Sequence, residues 1–525
     1  MYERHYQTRR TPQKEKIPGT TQVQNNAGGF AWAVDDWARL DRFLVLGSEG
    51  GTYYVREREL TIQNAEAVHR CILADGPRVV NRIVEISDSG RAPKNDPALF
   101  ALAMAASLGS PETKAVALEA LPKVARTGTH LFHFLRYVEA FRGWGRSLRR
   151  AIQNWYLSKD VSQLAYQVVK YQARDGWSHR DALRLAHPKP DSSERDALFR
   201  WIVKGEPVPK VESLALVDAF ERAKRASTAK EICSLIADYG LPREAIPTKW
   251  LKEPKVWEAL LPQMPMTALL RNLGNLSKYG VLTPLSEASK FVVSRFSDEA
   301  AICKARLHPL SILLALVTYA SGGGYRGSGT WEPVSEVVDA LDRAFYLAFQ
   351  NVEPTGKRLV LALDVSGSMW ETYIAGSLLT AGQGAAAMAL VTAATEPQCE
   401  IVAFSHEMVP LAISPRERLD DVVKKLDMPF GATDCALPML WALEKGVQAD
   451  AFVIYTDSET WYGNVHPVQA LREYRQKTGI PAKLIVVGMC SNGFSIADPD
   501  DPGMLDVVGF DAVVPAVIAD FIRDG

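Results

Sequence analysis

Features that would mark a secreted, stapled or membrane-spanning chain are scarce in this sequence. Its six cysteines (Cys71, Cys233, Cys303, Cys399, Cys435 and Cys490) lie far apart among 525 residues, with no CxxC pair and no zinc spacing. Neither a disulfide framework nor a zinc site is expected, and the thiols read as reduced, mostly buried ones of a cytosolic protein. No apolar run approaches the ~18 residues needed to cross a bilayer. The stretch from Met1 to Lys16 is polar and lacks an apolar core, so no secretory signal is expected. The expected protein is soluble and cytoplasmic, without membrane contact. Net charge is nearly absent as well, at −1, but the balance conceals a segregation. Residues 357–525 hold 12 Lys and Arg against 22 Asp and Glu, or −10, which leaves 48 against 39, or +9, in the remainder. A basic large part joined to an acidic smaller one points to a polyanion partner for the former.

At this length two or more cores are expected, and a composition that is 47% hydrophobic and 23% charged is that of an ordinary globular protein. Strand signals are scarce before residue 357. Asp96-Pro97, Gly109-Ser-Pro-Glu112, Glu253-Pro254 and Thr283-Pro284 read as helix starts. Apolar residues recur at helical spacing through Leu214–Ile236, Val256–Leu273 and Ala300–Tyr319. Helix pairs with short breaks suggest an α-solenoid with a unit of roughly 40 residues, as in HEAT-type repeats. Beyond Thr355-Gly356 the pattern alternates, predicting strands at 359–363, 400–404, 451–456 and 483–488 and helices at 372–395, 435–446 and 467–477. That is a doubly wound parallel sheet, which binds ligands at the carboxyl ends of its strands. The expected domains are a polar N-terminal arm (1–28), a HEAT-like helical domain (29–356) and an α/β domain (357–525).

The apolar run Leu359–Leu363 ends in Asp364-Val-Ser-Gly-Ser368, which presents one carboxylate and two hydroxyls on alternate residues. Gly431-Ala-Thr433-Asp434 offers a further hydroxyl, and Phe452-Val-Ile-Tyr-Thr-Asp457 ends a second buried-strand pattern in a carboxylate. Hard oxygens with few carboxylates suit Mg²⁺, with Mn²⁺ or Ca²⁺ as alternatives. Asp364, Ser366, Ser368, Thr433 and Asp457 together resemble the metal-ion-dependent adhesion site (MIDAS) of von Willebrand factor A-type domains, which binds rather than hydrolyses. Asp434 and Glu459 read equally as supporting acids or as solvated loop acids.

Two basic stretches stand out in the helical part. In Gly143-Trp-Gly-Arg-Ser-Leu-Arg-Arg150, cations alternate with glycine and tryptophan ahead of Trp155-Tyr156. In Lys170-Tyr-Gln-Ala-Arg174-Asp-Gly-Trp-Ser-His179-Arg180, helical spacing puts Lys170 and Arg174 on one face, with Gly176 ending the helix. Two cations so placed repel unless an anion lies across them, and phosphate oxygens suit arginine geometry. Trp177 or Tyr171 would pack, or stack on a base. His179 and His187 alone read as ordinary surface or capping histidines, and the residues by themselves leave open a solvated helix face. Gly322-Gly-Gly-Tyr-Arg-Gly327 is a flexible basic loop that lacks the Lys-Ser/Thr of a phosphate-binding loop. Arg271 and Asn272 read as core-edge or pore residues.

Ordered motifs across nearly the whole chain resemble the Ro autoantigen family of RNA-binding proteins. They include Gly143-Trp-Gly-Arg146, Trp177-Ser-His-Arg-Asp181, Thr267-Ala-Leu-Leu-Arg-Asn-Leu-Gly274, Val352-Glu-Pro-Thr-Gly-Lys-Arg358, Leu471-Arg-Glu-Tyr-Arg475 and Ser491-Asn-Gly-Phe494. The resemblance implies a TROVE module, a ring of HEAT-like helices, followed by a von Willebrand A-type domain. It further implies RNA quality control, with Y RNA on the ring's outer surface and single-stranded 3′ ends of misfolded non-coding RNA in its hole. Tethering of an exoribonuclease through Y RNA is a further implication. Lys170, Arg174 and His187 are the matching Y RNA positions, and Arg142, Arg146 and Arg150 are added on charge and nearness in sequence. Asp175 is a complication, an acid where phosphate is expected, and its partner is either Arg174 or Arg180. A ring closed within one chain makes a monomer the expected state. The alternative is a metal-dependent protein-adhesion scaffold. An enzyme is not expected: two-metal hydrolysis needs several converging carboxylates, and no His or Cys sits at nucleophile–base spacing.

Overall fold

The computed structural model describes residues 10–48, 55–323, 329–349, 354–374, 379–409, 413–426, 431–511 and 513–523. The first residues of the arm, most of the glycine-rich loop and Val352-Glu353 lie outside the described residues. The chain begins with a short antiparallel pair, β1 (Val23–Gln24) and β2 (Phe30–Ala33). It then turns helical, through α1 (Asp36–Leu46), α2 (Glu57–Ser89), α3 (Asp96–Leu108), α4 (Pro111–Val124) and α5 (Gly128–Phe141). α6 (Arg146–Leu157) and α7 (Val161–Lys170) lead to a small hairpin, β3 (Ala173–Arg174) and β4 (Trp177–Ser178), with α8 (His179–Ala186) directly after it. α9 (Ser193–Lys204), α10 (Ala215–Arg225), α11 (Ala229–Tyr239), α12 (Pro254–Leu260) and α13 (Met266–Lys278) continue the succession. It ends with α14 (Glu287–Ser297), α15 (Glu299–Lys304), α16 (Pro309–Ala320) and α17 (Ser335–Leu347).

Local chemistry fixes most of these starts. Ser110 Oγ accepts from Thr113 N at 3.1 Å, and Pro111 occupies the first turn, where its missing N–H costs nothing. α12 begins at Pro254, as Glu253-Pro254 predicts. Thr283-Pro284 does not begin a helix. Leu285 follows at φ 63°, and Ser286 caps α14 instead. The succession closes on itself: between α15 and α16, His308 Nε2 meets the Arg91 carbonyl at 3.0 Å and Arg306 donates to the Asp88 carbonyl at 2.8 Å. A cavity of about 500 Å³ lies at this closure, lined by Lys94 on one side and by Arg271, Asn275 and Thr318 on the other. Asn272 is buried and donates to Ala268 O, which makes it a core residue, whereas Arg271 is exposed.

The second lobe contains β5 (Leu359–Asp364), β6 (Cys399–Phe404), β7 (Met408–Val409), β8 (Ala451–Tyr455), β9 (Lys483–Gly488), β10 (Phe494–Ser495) and β11 (Met504–Val508). Its helices are α18 (Gly367–Glu371), α19 (Ala381–Thr395), α20 (Leu419–Leu426), α21 (Leu437–Lys445), α22 (Pro467–Thr478) and α23 (Val514–Arg523). Six strands form one sheet in the order β11-β9-β8-β5-β6-β7, parallel except for β7. Successive side chains alternate between two cores. Val360, Ala362, Phe452 and Leu484 face α21 and α22, while Leu361, Leu363, Val453 and Val487 share a core continuous with the helical lobe. The helix predicted over 372–395 starts later: α18 stops at Glu371, and α19 begins only at Ala381, behind a Thr380–Gln383 capping box. β11 went unpredicted because Asp506 interrupts its apolar run.

The N-terminal arm belongs physically to this second lobe. Arg10 pairs with Glu473 at 2.9 Å, Ile17 and Trp32 join the core beneath α21 and α22, and β2 pairs with β10. The break expected at residue 28 falls inside the turn between β1 and β2. The chain thus starts in the α/β lobe, leaves to build the helices and returns. Buried Arg42 of α1 joins the two lobes, reaching Asp506 at 2.6 Å and Asn492 Oδ1 at 2.5 Å.

Candidate functional site

The first candidate site lies at the carboxyl ends of β5, β6 and β8. After Asp364 the chain turns into Ser366-Gly-Ser368, whose two Oγ atoms are 3.3 Å apart. Asp364 Oδ1 accepts from Ser366 N at 2.9 Å and Oδ2 from Thr456 Oγ1 at 2.6 Å, joining the ends of β5 and β8. Asp457 accepts from Glu459 N at 3.1 Å. Thr433 arrives on the loop before α21; its carbonyl accepts from Trp461 N and Tyr462 N, and Asp434 N donates to Ser405 O beyond β6. Asp364, Ser366, Ser368, Thr433 and Asp457 are all buried, on three loops hydrogen-bonded to one another. Gly463, at φ 106°, permits the packing, because a Cβ there would collide with Asp434 Oδ2.

Charge is confined in this cluster. Burial, followed by the neighbouring Asp457, raises the Asp364 carboxyl, and burial raises Asp457. Burial also pushes Asp434 up to about 6 and, with Asp457, Glu459 up to about 7. A cation among these oxygens would offset the cost of ionising them. The donor set fits a hard divalent ion that keeps several waters. Among the described residues no group of three or more His, Cys, Asp or Glu could hold a metal ion, so a cation here would depend on the hydroxyls as well as the two aspartates. Asp434 and Glu459 are not solvated. Gln13 Nε2 donates to Asp434 Oδ1 at 2.6 Å and Asn26 Nδ2 to Glu459 Oε1 at 2.7 Å, so the arm clasps both loops.

The second candidate site is the basic side of the helical lobe, and here the structure corrects the helical reading. Lys170 is the last residue of α7, whereas Arg174 sits on β3, so they do not share a helix face. Asp175 and Gly176, at φ 53° and 82°, form the two-residue turn of the hairpin rather than a helix end. Trp177 is 8% exposed and packs on Trp144 with ring centres 5.4 Å apart, so it is not a base-stacking platform. His179 is a core residue: its Nδ1 lies 2.7 Å from Tyr156 Oη, and burial lowers its pKa to about 3. His187 is exposed at the end of α8. Lys170 Nζ lies 3.1 Å from Tyr166 Oη. Arg142 is partly engaged, donating to Ala106 O at 3.2 Å.

The repulsion argument belongs to other residues. Arg146 and Arg150 are four apart on α6, and Arg180 and Arg184 are four apart on α8. With Arg149 they are exposed and make no ion pair among the described residues. α6 and α8 lie side by side, with Gln153 Nε2 donating to Ala186 O at 2.6 Å, which brings His187 beside the α6 arginines. Other helix cations pair within their own helix, as in Arg200–Asp196, Lys224–Glu221 and Lys290–Glu287. Arg149, Arg180 and Arg184 were not singled out from the sequence, although the spacing of Arg180 and Arg184 was visible there.

The chain matches the family models of the TROVE domain over residues 23–318 and of the Ro60 von Willebrand A domain over residues 358–522. It is 47% identical over 518 residues to the RNA-binding protein RO60 of Deinococcus radiodurans, covering 98% of this chain and 97% of the relative. The RNA-binding protein RO60 of Caenorhabditis elegans is 37% identical over 596 residues, 98% of this chain and 92% of that one. The crystal structure of the D. radiodurans Ro (Rsr) protein matches with a TM-score of 0.72 at 45% identity, covering 93% of this chain and 100% of that one. With a helical lobe that closes on itself, a parallel-sheet lobe and relatives of this extent, the chain belongs to the Ro60 family.

Proposed function

We propose that this protein binds RNA on the unpaired arginines of α6 and α8 and uses no catalysis of its own. The observation that carries this reading is the grouping of Arg146, Arg149, Arg150, Arg180 and Arg184, like charges at helical spacing with no acidic partner among the described residues. Such a face is relieved by phosphates, which attract without regard to sequence. Relatives named as RNA-binding proteins support it. Y RNA would lie along the outer face, on Lys170, Arg174 and His187 together with Arg146 and Arg150, with Arg142 a lesser contact. Single-stranded 3′ ends of misfolded RNA would enter where the helices close, past Lys94 and Arg271. A duplex is too wide for a narrow opening, which makes the selection steric and fits RNA quality control in the cytoplasm, with an exoribonuclease tethered through the Y RNA. In the second lobe, Asp364, Ser366, Ser368, Thr433 and Asp457 would hold Mg²⁺, which when bound offers an open position to a partner's oxygen. That lobe then acts as a metal-dependent docking module beside the RNA site.

The test is salt-dependent binding of a Y-like RNA, a duplex with a single-stranded 3′ tail, and the same duplex blunt-ended. Tail-dependent binding that weakens steeply with salt is expected, with Y-like RNA lost when Arg146 and Arg150 become Gln. No binding of any of the three at low salt would overturn the RNA reading and leave the docking module as the function.

A further inference from the structure

We propose that His133 keeps the outer RNA site open by drawing the Asp175 carboxylate away from Arg174. The proposal rests on the reading of Arg174 as a phosphate contact. A carboxylate adjacent to a phosphate-binding guanidinium is its natural competitor, because arginine pairs with carboxylate and phosphate in the same two-pronged geometry. Asp175 is placed for that competition: it follows Arg174 directly and occupies the first position of the tight turn, at φ 53°. The competition is only partial, because His133 takes the close contact of the carboxylate. Asp175 Oδ2 lies 2.5 Å from His133 Nδ1, whereas its Oδ1 is 3.7 Å from Arg174 Nε, beyond hydrogen-bond reach. The Arg174 side chain stays 62% exposed.

His133 is suited to this task because it is itself held. It projects from α5, is mostly buried, and presents its other nitrogen, Nε2, to Asp96 Oδ1 at 3.9 Å. An imidazole that is mostly enclosed by protein and already in short contact with Asp175 competes well with a solvated guanidinium on a long side chain. Local backbone needs do not require a charge at 175, since asparagine tolerates the left-handed turn equally well. His133 is thus a positioning residue, acting on the RNA site through Asp175.

The experiment compares four variants with wild type by fluorescence anisotropy, using one labelled Y-like RNA hairpin at fixed salt. Arg174→Ala is the reference and should weaken binding. His133→Ala frees the Asp175 carboxylate to pair with Arg174, and affinity should fall about two- to fivefold, the range of an exposed ion pair. Asp175→Asn should tighten binding by at most about twofold, because only the loose contact at 3.7 Å is lost. The decisive variant is His133→Ala/Asp175→Asn, which should bind as well as Asp175→Asn alone, because no carboxylate remains to compete. A double variant as weak as His133→Ala would overturn the proposal and make His133 a prop for the hairpin. Unchanged affinity in His133→Ala, with Arg174→Ala weakened, would also overturn it. If Arg174→Ala binds like wild type, the RNA reading at Arg174 is what fails.

Discussion

The two lobes handle charge in opposite ways. The helical lobe leaves arginines at the surface without ion-pair partners among the described residues, on α6 and α8. The α/β lobe encloses its acids, with Asp364, Asp434, Asp457 and Glu459 buried within one cluster of loops. An exposed cation without a partner costs little, because water and salt screen it, so a face of such residues can be kept for a large, variable polyanion. A buried acid is costly unless something compensates it, and the compensation must be small and exact in geometry. On the proposed reading, the first arrangement suits a polymer and the second an ion.

The strongest way to break the comparison is to cut the tie between the lobes. Arg42→Ala leaves Asp506 and Asn492 without their buried partner, and stability should fall by about 3–5 kcal/mol in chemical denaturation. Next, Arg146→Gln/Arg149→Gln/Arg150→Gln should weaken RNA binding by about 30- to 100-fold at low salt and flatten the salt slope by about 0.9 for each phosphate no longer neutralised. An unchanged slope would show that α6 does not touch phosphate. For the second lobe, Mg²⁺ at a hundredfold excess over its Kd should stabilise wild type by about 2.7 kcal/mol. Asp364→Asn should abolish that gain in thermal unfolding and leave RNA affinity as it was. Loss of RNA binding in Asp364→Asn would erase the division of labour between the lobes.

The smallest effect concerns acid. Burial lowers His308 to about 4 and His130 to about 4. The unfolded chain, with an ordinary histidine near 6.5, takes up the proton first, so the contribution is complete above about pH 6.5 and is lost as pH falls toward 4. His308 Nδ1 already accepts from Leu310 N, and a proton there would set two N–H groups against each other. Going from pH 7 to 5 should cost at most about 2 kcal/mol for this residue. His308→Asn should show a smaller fall in Tm over that range than wild type does.

How far these features could be read beforehand depended on the reach of each interaction. The oxygen cluster was legible because each donor sits at the end of a strand whose apolar pattern announces it, and loops at strand ends converge in a parallel sheet. Lys170 and Arg174 were misplaced because their four-residue spacing outweighed a local signal, the Asp175-Gly176 pair that favours a hairpin turn. His179 was read as a surface or capping residue and Trp177 as packing or stacking on a base, whereas both turn inward, onto Tyr156 and Trp144. The arm was unreadable in principle: its polar Gln13, Asn25 and Asn26 resemble a solvated tail, and their partners lie more than 400 residues away.

That separation has a consequence for how the molecule is made. Gln13 cannot reach Asp434, nor β2 its partner β10, until ribosomes have added over 400 further residues. The helical lobe, built largely from contacts between successive helices, is free to condense during synthesis, while the first segment to emerge is among the last to find its place. For most of translation β2 has an open edge, and any nascent chain stopped short of residue 494 carries it exposed.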